Sequence, residues 1–220
     1  MRDVLIIGAS GGIGRALASA HRARGDKVTP LSRSKDGFDI TDERAVARHL
    51  EALGPFDRVI MATGALEIDG AKPEKTIKTL NAAAMSDQFA VNAIGPALVL
   101  SHAHRLLPRD RPGLFVALSA RVGSIEDNRL GGWVSYRAAK AALNQIMHTV
   151  AIELARTHKQ ASVVALHPGT VETDFTRAYL ARHPAVAPDL AAARLLDTMD
   201  SLNAAHTGQF FDYAGVRIPW

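Results

Sequence analysis

Val4–Ile7 is an unbroken apolar run, VLII, that passes directly into GASGGIG, Gly8 to Gly14. An apolar run without alternation suits a strand covered on both faces. Glycine at positions 8, 12 and 14 permits a tight turn and lets a pyrophosphate approach the backbone. The next stretch reads as a helix over Gly12–Arg24, stopped by Gly25. Its free amides and dipole would then point at the anion. A glycine-rich string alone says little; the strand before it and the helix after it give it meaning. Gly8, Ser10, Gly12, Ile13 and Gly14 are the expected pyrophosphate-binding residues.

The same alternation continues along the chain. Strands are expected at Lys27–Leu31, Arg58–Met61, Gly113–Leu118, Ser162–Leu166 and Gly208–Asp212. Between them lie helical stretches: one capped by Thr41-Asp42-Glu43 and running to Leu53, one from Ser86 to Leu107, one over Val134–Thr157 and one over Asp189–Leu202. Asp69–Lys78 reads as loop. Strands alternating with helices predict an α/β fold, a Rossmann-type doubly wound parallel sheet with helices on both faces. Ligands in such sheets sit beyond the carboxyl ends of the strands. With no linker or repeat, 1–220 reads as a single domain.

Composition narrows the chemistry. The chain has 220 residues and no Cys, which excludes disulfides, thiolate zinc sites, iron–sulfur clusters and a cysteine nucleophile. The nine His include no i,i+4 pair, and no metal site is expected. A net charge of +4 with 5% aromatic residues gives neither the basic stripe nor the stacking platform of a nucleic-acid binder. No apolar stretch is long enough to span a membrane, and the N-terminal run is too short for a signal peptide, so a cytoplasmic location is expected.

The second strand ends in Leu31-Ser32-Arg33, with Arg33 19 residues beyond Gly14. An acidic residue there would accept the ribose 2′-hydroxyl of NAD; a guanidinium suits a 2′-phosphate and points to NADP. Asp39 and Ile40 are placed to meet the adenine edge. Tyr136 and Lys140 lie four apart on one helix face. An ammonium beside a phenol favours the phenolate, and the pair can exchange a proton with a carbonyl or alcohol oxygen. Asn92 precedes Gly95-Pro96, where a missing amide breaks the helix and leaves a polar side chain able to hold water or a carbonyl. Trp133 reads as packing or as a wall of the substrate pocket.

Together these residues resemble the short-chain dehydrogenase/reductase family over essentially the whole chain, nearest to its C-factor-like carbonyl reductase branch. The carriers are Gly8-x-x-x-Gly12-x-Gly14, Asn92-Ala93-x-Gly95, Tyr136-x-x-x-Lys140 and Pro168-Gly169-x-Val171-x-Thr173. The longer strings Ser119–Asn144, His167–Asp174 and Thr207–Trp220 add to them. The resemblance implies a sheet of about seven strands and NADPH-dependent reduction of an aldehyde or ketone, with NAD possible as cofactor. It gives Tyr136 the role of general acid, Lys140 the nicotinamide ribose and the tuning of Tyr136, and Asn92 a relay water. Gly64, Pro168, Gly169, Val171 and Thr173 would contact the cofactor, and residues 173–188 would form a short substrate lid. A homodimer or homotetramer is implied as well.

Two departures stand out. Met61-Ala62-Thr63-Gly64 replaces the family's Asn-Asn-Ala-Gly, so a sheet-supporting Asn is missing. The family's catalytic serine position holds Ala120, flanked by Ser119 and Ser124. Ser119, Ser124 or no serine can fill the role; strand alternation turns Ser119 away unless a bulge intervenes. The alternative function is an NAD(P)-binding regulatory or signalling protein with little catalysis.

Overall fold

The computed structural model describes residues 1–182 and 185–220. Six strands, β1 (Asp3–Ile7), β2 (Lys27–Leu31), β3 (Arg58–Met61), β4 (Gly113–Leu118), β5 (Ala161–His167) and β6 (Phe210–Asp212), form one sheet in the order β2-β1-β3-β4-β5-β6. Every neighbouring pair is parallel. The order reverses between β1 and β3, so the crevice beyond the strand ends opens there. The helices are α1 (Gly12–Ala23), α2 (Arg33–Asp36), α3 (Glu43–Leu50), α4 (Ala82–Phe89), α5 (Gly95–Leu100), α6 (Ala103–Leu106), α7 (Val134–Leu154) and α8 (Pro188–Ser201). None is long and apolar enough to cross a membrane.

Period-two alternation splits each strand between two cores. Leu5, Ile7, Phe115 and Ala117 pack with Val46 and Leu50 of α3 and with Leu143 and Met147 of α7. Val4, Ile6, Leu114 and Val116 pack with Leu17 of α1 and with Leu195 and Met199 of α8. Burial on both faces explains why β1 and β4 read as continuous apolar runs, while the edge strand β2, only partly buried, does not.

The six runs read from the sequence are the six strands. A seventh, implied only by the family resemblance, does not form among the described residues. After β6 the chain reverses at Asp212–Gly215, where the Asp212 carboxylate accepts from the amides of Ala214 (2.9 Å) and Val216 (3.0 Å). The C-terminal segment then pairs back on β6 by the single antiparallel bridge Phe211–Arg217. The expected helix over Ser86–Leu107 is also interrupted. It starts earlier, at Ala82, because Asn81 caps it by accepting from the Ala84 amide at 3.0 Å. It widens to a π-helical stretch over Ala90–Ile94 and restarts as α5 with Pro96 in its first turn. Pro96 has no amide to give the Asn92 carbonyl, and the backbone accommodates the missing bond by widening.

Two contacts set the site. The first is in the loop after β1: a Cβ on Gly14 would run into the Gly8 carbonyl, and Gly8 sits at φ +86° with its own α-carbon close to Ala62. The second is at the start of α7. Trp133, the residue before it, has φ +52° and offers no side-chain cap. Glu74, buried and 61 residues away in sequence, caps the helix instead, accepting from the Ser135 amide at 3.2 Å and from the Ser135 hydroxyl. Burial alone would raise the Glu74 carboxyl, but the bonds from the Ser135 hydroxyl and backbone amides outweigh it and hold it below the usual range.

Gly14→Ala is expected to cost about 1–3 kcal/mol in urea unfolding, as overpacking against backbone does. Gly11→Ala should be near neutral, since a Cβ there meets only the Gly8 carbonyl at 3.4 Å and φ is −72°. Glu74→Ala should cost about 0.5–2 kcal/mol, the range for a lost N-cap. The parent's advantage over Glu74→Ala is full above the unfolded carboxylate value of about 4.3. It disappears as pH falls through the lower folded value. Melts at pH 7 and at pH 3.5 check both statements.

Candidate active site

A cleft of 1490 Å³ opens beyond the carboxyl ends of β1, β3, β4 and β5 and is closed on one side by the first turns of α7. Ser10, Gly12 and Ile13 bring the glycine loop to its wall. No side chain caps α1 and no acidic residue lies in its first turn, so its leading amides are left for an anion. Ala62, Thr63 and Gly64 come from the end of β3, Ser119 and Ala120 from β4, and Pro168, Gly169, Val171 and Thr173 from the segment after β5.

Tyr136 and Lys140 lie side by side on the inner face of α7, both buried. The Lys140 ammonium is 5.9 Å from the Tyr136 ring centroid and donates to the Leu118 carbonyl at 3.1 Å. A Cβ on Gly64 would stand 3.0 Å from Asn92 Oδ1 and 3.4 Å from Lys140 Nζ, so a bare backbone is what lets these groups meet. Burial lowers Lys140 to about 8 and pushes the Tyr136 phenol upward. The sequence led us to expect a phenol lowered by its ammonium neighbour; desolvation wins instead, because both groups lie out of water. A phenol held protonated beside a readily titrated amine can give a proton to an oxygen placed against it.

Asn92 is fully buried just behind this pair and outside the cleft lining. Its amide donates to the Ala65 carbonyl (2.9 Å) and Gln88 Oε1 (2.8 Å), and its oxygen accepts from the Ala65 amide (3.2 Å). Gln88 in turn donates to the Leu66 carbonyl at 2.9 Å. The two side chains fix the strand extension through Gly64. Gln88 was not singled out in the sequence, although its i,i+4 spacing from Asn92 was visible.

Several expected contacts fall elsewhere. Ser119 reaches the cleft wall, but its hydroxyl donates to Asn144 Oδ1 at 2.6 Å. Ser124 donates to the Trp220 carbonyl (3.3 Å) and accepts from the Asp127 amide (3.0 Å), away from the cleft. Ala120, a methyl, is the residue of this stretch with its side chain uncommitted at the wall. Gly8 and Gly14 shape the turn without lining the cleft. Ile40 is buried against Gly95, and Asp39 accepts from the Thr41 amide (2.9 Å) and hydroxyl (2.7 Å); neither lines the cleft. Arg33 is exposed at the start of α2, beside the Leu31 carbonyl that takes the amides of Gly8 (2.8 Å) and Ala9 (3.1 Å).

The sequence reading passed over Thr63 and His167. Both line the cleft, and Thr63 Oγ1 and His167 Nδ1 are buried without a hydrogen-bond partner. Burial, with Arg121 adding to it, lowers His167 to about 4, so it is neutral near pH 7. Buried polar atoms are rarely left unpaired; these two lie within the cleft wall, below its surface. Of the expected lid, 173–188, residues 183 and 184 lie outside the described residues.

The short chain dehydrogenase family model matches residues 36–183. The chain is 29% identical, over all of both chains, to a 1-hydroxy-2-glutathionyl-2-methyl-3-butene dehydrogenase of Rhodococcus sp. (strain AD45). It is 36% identical to the C-signal protein of Myxococcus xanthus over 62% of this chain and 78% of that one. A short-chain dehydrogenase/reductase from Burkholderia multivorans with bound NADP superposes with TM-score 0.79 and 26% identity, covering 99% of each chain. The chain is a member of the short-chain dehydrogenase family of oxidoreductases.

Proposed function

We propose that the protein is an NADPH-dependent carbonyl reductase that converts an aldehyde or ketone to the alcohol. One observation carries the reading: the buried Tyr136 phenol, kept protonated, stands beside Lys140 at the wall of the cleft. The cleft suits a dinucleotide. The uncapped α1 amides offer an anion site, and Gly12 without a side chain lets Thr173 pack directly on the loop. The NADP-bound Burkholderia relative supports the same ligand.

Gly8, Ser10, Gly12, Ile13 and Gly14 would hold the pyrophosphate, Arg33 the 2′-phosphate, and Gly64, Lys140 and the Pro168–Thr173 stretch the nicotinamide end. The bound dinucleotide supplies the hydride. Tyr136 gives its phenolic proton to the substrate oxygen as that oxygen gains charge, and Lys140 stabilises the phenolate left behind. Asn92 would support a water that returns a proton. Ser119 acts as a positioning residue through Asn144. Residues 1–220 work as one nucleotide-binding domain, with residues 173–188 as its substrate lid. A regulatory reading keeps one observation in its favour, the methyl of Ala120 where a hydroxyl donor belongs.

Tyr136→Phe should lower turnover of a reactive aldehyde by about 10²–10⁴-fold while NADPH still binds. Reduction by the parent should weaken as pH rises through about 8, where Lys140 loses its charge. If Tyr136→Phe keeps half of the parent rate, the proton comes from elsewhere. A parent that binds NADPH and reduces no carbonyl supports the regulatory reading.

Arg33→Ala should weaken NADPH by roughly 10- to 150-fold, the worth of a charge-assisted contact of about 1.5–3 kcal/mol. NADH affinity should hardly move. Fluorescence titration of both cofactors checks this, and equal affinities in the parent would exclude the 2′-phosphate contact.

A further inference from the structure

Three aromatic rings gather around the phenol of Tyr136. Trp133 meets it edge-on at 6.2 Å between centroids and Phe175 at 6.3 Å. Tyr179 stands edge-on to Trp133 at 5.4 Å. All line the cleft. They come from separate parts of the chain, Trp133 from the turn before α7 and the other two from the segment after β5. Two of them are held in place. Trp133 is fixed in a left-handed conformation (φ +52°) that a bulky side chain rarely adopts, and its amide donates to the Glu74 carbonyl. The Tyr179 hydroxyl donates to Glu67 Oε1 at 2.7 Å, tying that segment to the loop after β3. Phe175 is nonetheless 39% exposed, a large ring left uncovered beside a reactive phenol.

Four arginines at this end have partners within the protein. Arg121 pairs with Asp127 and Asp212, and Arg177 pairs with Asp174. Arg129 donates to the Glu126 carbonyl, and Arg137 donates to the carbonyls of Gly132 and Val122. Trp133 and Phe175, by contrast, lie directly against Tyr136.

We infer that Trp133, Phe175 and Tyr179 form a collar that selects carbonyl compounds whose carbonyl carbon carries a flat aromatic ring. Saturated rings of the same size are disfavoured. The inference rests on the reading of Tyr136 as the proton donor, since that places the carbonyl oxygen at the phenol and the rest of the substrate among the rings. A flat ring can meet these aromatic edges and faces, and each such pair shifts an equilibrium by about two- to twelvefold beyond plain burial. A puckered saturated ring keeps the burial and loses the pairing.

The test compares kcat/KM for benzaldehyde and cyclohexanecarbaldehyde at saturating NADPH. The parent should favour benzaldehyde, and Trp133→Leu and Phe175→Leu should each shrink that ratio by about two- to twelvefold. A ratio that neither variant changes overturns the collar. A binding measurement separates this from the proton-transfer reading. The chain has two Trp, so Trp220→Phe leaves Trp133 as sole reporter. In that variant, loaded with NADPH, benzyl alcohol should quench Trp133 emission at lower concentration than cyclohexylmethanol. Quenching in that order without turnover of either aldehyde keeps the collar and removes the reading of Tyr136. Turnover of both aldehydes with no difference in quenching removes the collar and leaves Tyr136 in place.

Discussion

The Gly8 carbonyl and the Gly14 α-carbon touch so closely that no side chain fits between them. That contact is where β1 becomes α1. It turns the chain within a few residues and brings the leading amides of α1 to the edge of the sheet. Gly8 and Ala9 both donate to the Leu31 carbonyl, so the same loop also fixes the end of β2, and with it the place of Arg33. A wider turn would move the helix dipole away from the crevice and separate the anion site from the Tyr136 end of the cleft. The sheet supplies the frame, and the close backbone approach decides where the frame can bind.

A second constraint acts at the other wall. Tyr136 and Lys140 lose water together, and burial dominates both: it raises the phenol and lowers the amine. In water the ammonium would be the stronger influence, since a nearby cation favours phenolate. Out of water each charged form is penalised, and the protonated phenol is the resting form. A proton donor has to start protonated, so the direction of the shift suits reduction. Little of this depends on the i,i+4 spacing alone. It depends on Gly64 letting Asn92 and Lys140 close over the end of β3, and on Glu74 capping the helix that carries the pair.

The sheet and the glycine loop after β1 were legible in the sequence because local signals carry them. VLII and the Gly113–Leu118 run are apolar over their whole length, and the glycines stand between a strand and a helix. Tyr136 and Lys140 were legible by spacing and family order. What escaped depends on contacts between distant segments. Glu74 looked like one polar residue in a loop, and nothing near it in sequence says that it caps a helix 61 residues later. The interruption at Asn92 was readable from Pro96, but the clamp by Gln88 needed the loop after β3 to lie alongside. The surroundings of Ile40 and Asp39 were hidden for a similar reason. A residue two or three positions beyond a strand end can turn to core or to solvent, and here the fit of Gly95 against Ile40 settles the direction.

Ser119 shows how strictly the strand period acts at the end of β4. Phe115 and Ala117 face α7, and Ser119 continues the same side, so its hydroxyl meets Asn144. The Leu118 carbonyl between them takes the Lys140 ammonium. Tyr136, Lys140 and Asn144 are each four residues apart and share one helix face. Two of the three are therefore bonded to adjacent residues at one strand end, which fixes both the rotation and the height of α7 against the sheet. A hydroxyl one residue later would face the cleft and serve the substrate oxygen; this one holds the helix that presents Tyr136. On the proposed reaction the charge developing on that oxygen then falls to the Tyr136 phenol, without help from a serine in this stretch. The accuracy with which Ser119 and Leu118 place α7 accordingly bears directly on the rate.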